Sequence, residues 1–266
     1  MYYRLSLSTI AVTVFHLSCT YMEKDLKLRI SKNVTIYGRF QGPLSKPLFI
    51  IVHGLPGSYQ ERFYEQAAFW FAKKGYATFR FNLYDWRKNA RQLIDCTLKT
   101  HASDIDAVVA YFRKRGVKNV FLAGHSYGCP SILLSKQQDF DAVALWDPSY
   151  RISFTKRRYK VPGGRYVKEL NGYCMKWGAN VMIGKKMAEE ADSLDWDNLP
   201  KRFHIPMMIF ASEKGVLVKG AKKYFSVAHK PKAMTIIKGA THYFDDRPGM
   251  QEKVFARSKK WFDRFR

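Results

Sequence analysis

The chain has 266 residues, of which 47% are hydrophobic and 15% aromatic. That content can fill one sizeable core, so a disordered chain is excluded. The mean hydropathy is −0.33, and no apolar run reaches the roughly 18 residues that a membrane-spanning helix needs, which excludes a polytopic membrane protein.

The sequence is strongly basic. Lys and Arg total 46 against 22 Asp and Glu, which gives a formal net charge of +24. Such a field attracts nucleic acid, an anionic membrane, an acidic carrier protein or a carboxylated substrate. Because the basic residues are spread through most of the chain, the pattern favours a generally basic proteome over a dedicated binding tail. We therefore expect no specific nucleic-acid partner, and the sequence sets no oligomeric state.

Residues 1–21 have the outline of a signal peptide, with Arg4 followed by an uncharged run from Leu5 to Leu17. The run is rich in Ser and Thr, and no small-residue cleavage site precedes Met22. These residues are read either as an N-terminal extension or as a weak signal-like segment. We expect a cytoplasmic protein, with export as the alternative if residues 1–21 are a signal peptide.

The cysteines occur singly, without any C-x-x-C spacing, at Cys19, Cys96, Cys129 and Cys174. Neither a zinc site nor a disulfide framework is indicated by that spacing, and a reducing compartment fits best.

From Asp25 onward, short β-branched and aromatic runs alternate with longer helical patterns. This alternation predicts an α/β protein with a doubly wound, mostly parallel sheet of about eight strands. The predicted strands are 26–30, 34–40, 48–52, 77–81, 120–123, 142–146, 206–210 and 234–237. The predicted helices are 59–74, 102–115, a small-residue helix after Ser126, about 219–226 and about 251–265.

The alternation breaks down across residues 149–204, where the sequence becomes basic and aromatic. A connection of this length usually has a function of its own. We therefore predict a lid, inserted between a first part of the core at 22–148 and a second part at 205–266, with some helix over 173–187. Its basic residues are Arg151, Lys156, Arg157, Arg158 and Lys160, and its aromatic residues include Phe154, Tyr159, Tyr166, Tyr173 and Trp177.

A strand ending at Ala123 runs into Gly124-His125-Ser126-Tyr127-Gly128 and then a helical pattern. G-x-S-x-G in that setting predicts a nucleophile elbow, a turn so tight that only small neighbours fit beside the serine. Ser126 is therefore the candidate nucleophile.

A serine hydroxyl needs a base to remove its proton. His242 follows the last predicted strand in a short loop near the C-terminus, and it is the candidate. An acyl transfer also needs backbone donors for the oxyanion. His53-Gly54-Leu55-Pro56-Gly57 follows a buried strand directly, so we expect the amides of Leu55 and Tyr127 to form the oxyanion hole.

H-G-x-x-G at 53–57, G-H-S-Y-G at 124–128 and the late G-A-x-H at 239–242 resemble the α/β-hydrolase superfamily. They look most like lid-bearing carboxylesterases of the cinnamoyl and feruloyl esterase type, and the resemblance covers about 25–266. It implies the fold and a Ser-His-acid triad, without a metal or organic cofactor. Substrate is implied far less well, because the superfamily includes esterases, lipases, thioesterases, peptidases and dehalogenases.

The acid of the triad is where the sequence departs from that pattern. Such esterases usually carry it in G-x-x-D after the strand matched here by 207–210, and Lys214 stands at the expected position. Two substitutes are open. Asp147 ends the preceding strand before Pro148, resembling the acid of the pancreatic-type lipases, and Glu213 lies one residue from the usual position. We favour Asp147, because a strand end followed by proline is rigid.

These residues predict a serine hydrolase that cleaves small-molecule carboxylic esters, with lid aromatics over the acyl group and lid cations favouring anionic substrates. One alternative is an acyl thioesterase that acts on an acidic carrier. The other is a non-catalytic basic binding protein on a hydrolase scaffold, motivated by Lys214 and the net charge.

Overall fold

The structure is a computed structural model that describes residues 22–158 and 162–266. The signal-like segment at 1–21, Cys19 and two of the predicted lid residues, Tyr159 and Lys160, lie outside the described residues. No helix of the described part has both the length and the apolar character to cross a bilayer.

Eight strands form the main sheet, and they are β1 Glu23–Ser31, β2 Val34–Gln41, β3 Leu48–Val52, β4 Ala77–Phe81, β5 Val120–His125, β6 Ala142–Trp146, β10 Met207–Ser212 and β11 Lys232–Ile237. Their order in the sheet is β1-β2-β4-β3-β5-β6-β10-β11. β1 and β2 pair with each other antiparallel, β2 pairs antiparallel with β4, and every later pair is parallel. The predicted sheet of about eight strands is confirmed.

Helices cover both faces of this sheet. They are α1 Arg62–Lys73, α2 Leu98–Arg113, α3 Gly128–Leu133, α4 Lys185–Ser193, α5 Val218–Val227 and α6 Met250–Phe262. α1 and α6 bury their apolar sides against one face, and α2, α3 and α5 bury theirs against the other. The central strands β3 to β6 are buried along their whole length, as expected for parallel strands covered on both sides.

The described residues between 149 and 204 include a small three-stranded antiparallel sheet followed by α4. Its strands are β7 Arg165–Val167, β8 Gly172–Lys176 and β9 Asn180–Gly184. Met175 and Ile183 of this small sheet belong to the same apolar cluster as the face of the main sheet that α2, α3 and α5 cover. The inserted segment is therefore packed on the core.

The helix predicted over 173–187 is wrong for most of its length, since β8 and β9 form a hairpin there and α4 begins only at Lys185. Gly178 has φ +77°, which suits the turn between the strands. A Cβ at Gly172 would lie 2.6 Å from the Ile183 carbonyl oxygen, so the close pairing of the strands needs glycine there.

Candidate active site

Ser126 lies on a tight turn between β5 and α3 with φ +54°. A Cβ at Gly124 would lie 2.8 Å from the Cys129 nitrogen, and one at Gly128 would lie 2.4 Å from the Val52 carbonyl oxygen. Both glycines therefore permit α3 to turn back closely against β3. The turn leaves the side chain of Ser126 at the carboxyl edge of the sheet.

His242 lies in the loop after β11, and its Nδ1 is 2.7 Å from Oδ2 of Asp147 at the end of β6. Asp147 is fully buried and has φ +45°. The backbone N–H and the hydroxyl of Ser212, at the end of β10, also donate to its carboxylate, at 2.9 and 2.8 Å. The carboxylate thus accepts from three donors, which fixes its orientation toward His242.

Glu213, the alternative acid, is not brought to the imidazole. Its carboxylate accepts the N–H of Gly239 at 2.8 Å and lies at the surface. The backbone N–H of Lys214 donates to the Ala240 carbonyl at 3.0 Å. Both residues therefore support the backbone of the His242 loop from outside.

The Ser126 hydroxyl lies 3.2 Å from the hydroxyl of Ser149. The ring centroid of His125, the residue before Ser126, is 4.5 Å from that of His242. Within the described residues, no hydrogen bond joins the Ser126 hydroxyl to the His242 ring. Catalytic hydrogen bonds of this kind are often formed only with substrate bound.

The loop after β3 lies against Ser126, because a Cβ at Gly54 would be 3.2 Å from the Ser126 Cβ. Neither the Leu55 amide nor the Tyr127 amide donates a hydrogen bond to any described residue. These two N–H groups, on either side of the serine turn, are available to an oxygen of a bound substrate.

His53 fixes the peptide that carries the Leu55 amide. The Leu83 N–H donates to His53 Nε2 at 3.0 Å, so Nε2 is the acceptor nitrogen and Nδ1 carries the proton. That Nδ1–H donates to the Gly54 carbonyl at 2.7 Å. Burial lowers the pKa of His53 to about 4, which keeps the ring neutral. In a trans peptide the N–H points opposite to the carbonyl, so this bond aims the Leu55 amide away from His53.

An apolar cavity of about 180 Å³ adjoins the serine turn. Leu55, Tyr127 and Ser149 line it from the core, and Leu217 lines it from the loop before α5. The rest of its lining comes from residues between 149 and 204, namely Tyr150, Ile152, Ser153, Phe154, Arg158, Met175 and Trp177. Three larger grooves, beside Tyr243, beside Pro56 and beside Asp197, are not lined by Ser149.

Three residues of this arrangement were missed in the sequence. Ser149 contacts Ser126, Ser212 contacts the Asp147 carboxylate, and Tyr64 contacts His125. The two serines carry a weak signal, since Ser149 lies two residues after Asp147 and Ser212 ends β10, both at the carboxyl edge of the sheet. Tyr64 carries none, because its position on α1 looks like any apolar helix position. The described residues contain no cluster of three potential metal ligands.

The sequence matches no protein-family model, and the search of curated proteins found no match either. Solved structures do share the fold. Est1E from Butyrivibrio proteoclasticus with ferulic acid bound has a TM-score of 0.76 at 19% identity, over 90% of this chain and 98% of that chain. The alpha/beta hydrolase GrgF from Penicillium sp. sh18 has a TM-score of 0.72 at 15% identity, over 92% and 99%. Dienelactone hydrolase from Anabaena variabilis ATCC 29413 has 0.66 at 13%, over 92% and 99%.

Proposed function

Because this chain has the α/β-hydrolase fold, we propose that it is a serine hydrolase that cleaves carboxylic esters through an acyl-enzyme intermediate. One observation carries the proposal. The ring of His242 is held at 2.7 Å by a fully buried carboxylate, Asp147, beside a serine on a left-handed turn. A buried acid that orients an imidazole next to a serine is the arrangement that makes the hydroxyl a nucleophile.

In the proposed reaction, the Ser126 hydroxyl exchanges Ser149 for His242 as its hydrogen-bond partner. Its oxygen then attacks the ester carbonyl carbon while the proton passes to Nε2 of His242. The negative charge on the former carbonyl oxygen is stabilised by the amides of Leu55 and Tyr127. The C–O bond to the alcohol breaks, the alcohol takes the proton from His242, and a water molecule then releases the acid by the same steps.

The 180 Å³ cavity supports a small acyl group as the part of the substrate that binds there. A dry apolar cavity of about 150 Å³ holds one benzene molecule, so we propose acyl groups up to about one six-membered ring. Est1E, which shares the fold, binds ferulic acid, a molecule with one aromatic ring. Arg158 at the cavity favours acyl groups with an anionic substituent. Residues 149–204 then serve as the lid that closes this cavity.

The test is covalent labelling with a fluorophosphonate, followed by hydrolysis of p-nitrophenyl esters of increasing acyl length. We expect wild-type protein to be labelled at Ser126, and Ser126→Ala to lose both labelling and turnover. Ser226→Ala removes an exposed hydroxyl on α5 and should behave as wild type. Wild-type protein that is neither labelled nor active would favour the third function, a non-catalytic basic binding protein.

A second candidate, an acyl thioesterase for an acidic carrier, is supported by one surface. Between residues 198 and 244 the sequence has a single acid, Glu213. Six of the exposed cations there form no ion pair with described residues: Lys201, Arg202, Lys219, Lys222, Lys223 and Lys230. α5 begins directly after Leu217, which lines the acyl cavity. An acidic carrier docked on this surface would lie beside the cavity.

Salt separates these two candidates. If an acidic carrier is the substrate, kcat/KM on the carrier-linked acyl group should fall at least about tenfold between 50 and 500 mM NaCl, because salt screens exposed charges. Hydrolysis of a small neutral ester should change less than about twofold over the same range. Equal salt responses would exclude the carrier.

A further inference from the structure

A buried chain of hydrogen bonds runs behind the proposed triad through two residues that take no part in the reaction, Tyr64 on α1 and His125 at the end of β5. The Gly54 nitrogen is 2.9 Å from the Tyr64 hydroxyl. That hydroxyl is 2.9 Å from Nδ1 of His125, and Nε2 of His125 is 3.0 Å from the carbonyl oxygen of His242. Tyr64 and His125 are fully buried.

The direction of every bond in this chain follows from its two ends. The Gly54 N–H can only donate, and the His242 carbonyl can only accept. Nε2 of His125 must therefore carry the proton, which leaves Nδ1 as an acceptor. The Tyr64 hydroxyl accepts from Gly54 and donates to Nδ1. A neutral His125 satisfies this arrangement, and burial lowers its pKa well below the ordinary value.

The chain connects three segments that are far apart in the sequence. Gly54 precedes Leu55, whose amide is the first oxyanion donor, and His125 precedes the nucleophile Ser126. The carbonyl of His242 belongs to the base itself. Asp147 holds the His242 ring from one side, whereas His125 holds its backbone from the other.

We propose that Tyr64 and His125 are positioning residues, which hold the oxyanion loop, the nucleophile turn and the base loop in one fixed arrangement. This inference rests on the proposed function of Ser126 and His242. The Phe63 ring also packs against His125, with centroids 5.2 Å apart, but that contact fixes no hydrogen-bond partner. The hydrogen bonds of Tyr64 and His125 fix which atoms of the three segments face each other.

The test is Tyr64→Phe, which removes one oxygen and keeps the ring. Nδ1 of His125 then loses its donor, and the Gly54 N–H loses its acceptor. We expect kcat on a p-nitrophenyl ester to fall about 10- to 100-fold with KM within about twofold, because small misplacements of reacting groups slow the chemical step. The rate of fluorophosphonate labelling should fall by a similar factor.

Tyr76→Phe is the matched control. Tyr76 is also a buried tyrosine, and its hydroxyl donates to Asp263 at 2.9 Å near the C-terminus. This variant should lose some thermal stability and keep kcat. If Tyr64→Phe keeps wild-type kcat, or loses no more than Tyr76→Phe does, the positioning role is wrong while the hydrolase function stands.

A second measurement needs no activity. Nitrogen-15 NMR of the histidine side chains should show His125 in wild-type protein as the neutral tautomer protonated at Nε2, and Tyr64→Phe should change that signal. The Nδ1-protonated tautomer in the wild type would overturn the hydrogen-bond chain itself. Wild-type protein with the expected tautomer and no labelling at Ser126 would instead overturn the proposed function, and the positioning role with it.

Discussion

At the scale of single residues, the unusual feature is the acid. Asp147 is a fully buried non-glycine residue in the left-handed region, a conformation that costs about 1–2 kcal/mol. Hydrogen bonds from both donors of Ser212 and from His242 offset that cost. A carboxylate held in this way can orient an imidazole, because it cannot turn to other partners.

Replacing this acid tests its assignment. Asp147→Asn keeps the size of the side chain but removes its charge, and it replaces one acceptor oxygen by an NH₂ donor. We therefore expect kcat to fall about 10³- to 10⁴-fold. Glu213→Gln should stay within about threefold of wild type, since Glu213 contacts only the Gly239 amide. Steady-state kinetics on one ester measure both. A severe loss in Glu213→Gln with an active Asp147→Asn would reassign the acid.

Single residues of the candidate site could be singled out from the sequence only where they lie in a local motif. Ser126 and His242 were candidates because each follows a strand in a recognisable motif, and Asp147 was preferred to Glu213 from its proline neighbour. In the structure, Asp147 contacts the His242 ring and Glu213 does not. Tyr64 could not be found, because its contact with His125 joins residues 61 positions apart. Such a contact depends on how α1 packs on the sheet, which no local pattern records.

At the scale of elements, the elbow depends on how closely α3 approaches β3. A Cβ at Gly128 would meet backbone oxygens of both Val52 and His53, at 2.4 and 2.7 Å. Gly116 at the end of α2 contrasts with it, because φ is +83° there but nothing lies within 4 Å of a Cβ. The first glycine is needed for space and the second only for its backbone conformation.

The two glycines therefore predict different outcomes for alanine. Gly128→Ala should lower the free energy of unfolding by about 3 kcal/mol, or Tm by about 6–12 °C, and should abolish most of the turnover. Gly116→Ala should cost about 1 kcal/mol and leave kcat unchanged. Thermal unfolding and ester kinetics test both variants. Equal effects on kcat would show that the approach of α3 does not control the site.

Helices and strands whose apolar residues recur at a regular spacing could be predicted from the sequence. Those whose conformation depends on packing against the core could not. The eight strands of the main sheet were recognised from their apolar runs and turn residues. α2 begins at Leu98, a turn before the predicted 102, because Thr97 caps it through a bond from the Thr100 N–H. The hairpin of β8 and β9 was mistaken for helix, because burial along the two strands does not alternate from one residue to the next.

At the scale of the whole molecule, burial of neutral histidines links stability to pH. Burial lowers the pKa of His53 to about 4 and that of His101 to about 3. Both histidines have an ordinary value of 6.5 when exposed. Below that value the unfolded chain binds protons that the folded protein cannot, so stability is full above about pH 6.5 and falls as the pH is lowered.

By pH 4 each of these two histidines should have removed about 3 kcal/mol, so Tm should fall by more than about 10 °C between pH 7 and pH 4. His101→Gln cannot titrate and should lose less over this range. Scanning calorimetry at both pH values measures the difference. A Tm that is flat with pH would contradict the buried neutral state of these rings.

Asp147 lies at the end of β6, so the neighbouring strand β10 does not have to provide the carboxylate that contacts His242. The loop after β10 supplies no carboxylate to His242, and it contributes Leu217 to the wall of the apolar cavity. Under the proposed function, substitutions at Leu217 therefore change selectivity while Asp147 and His242 keep their contact. For an engineer, this separation makes Leu217 the first position to diversify in a library aimed at new acyl groups.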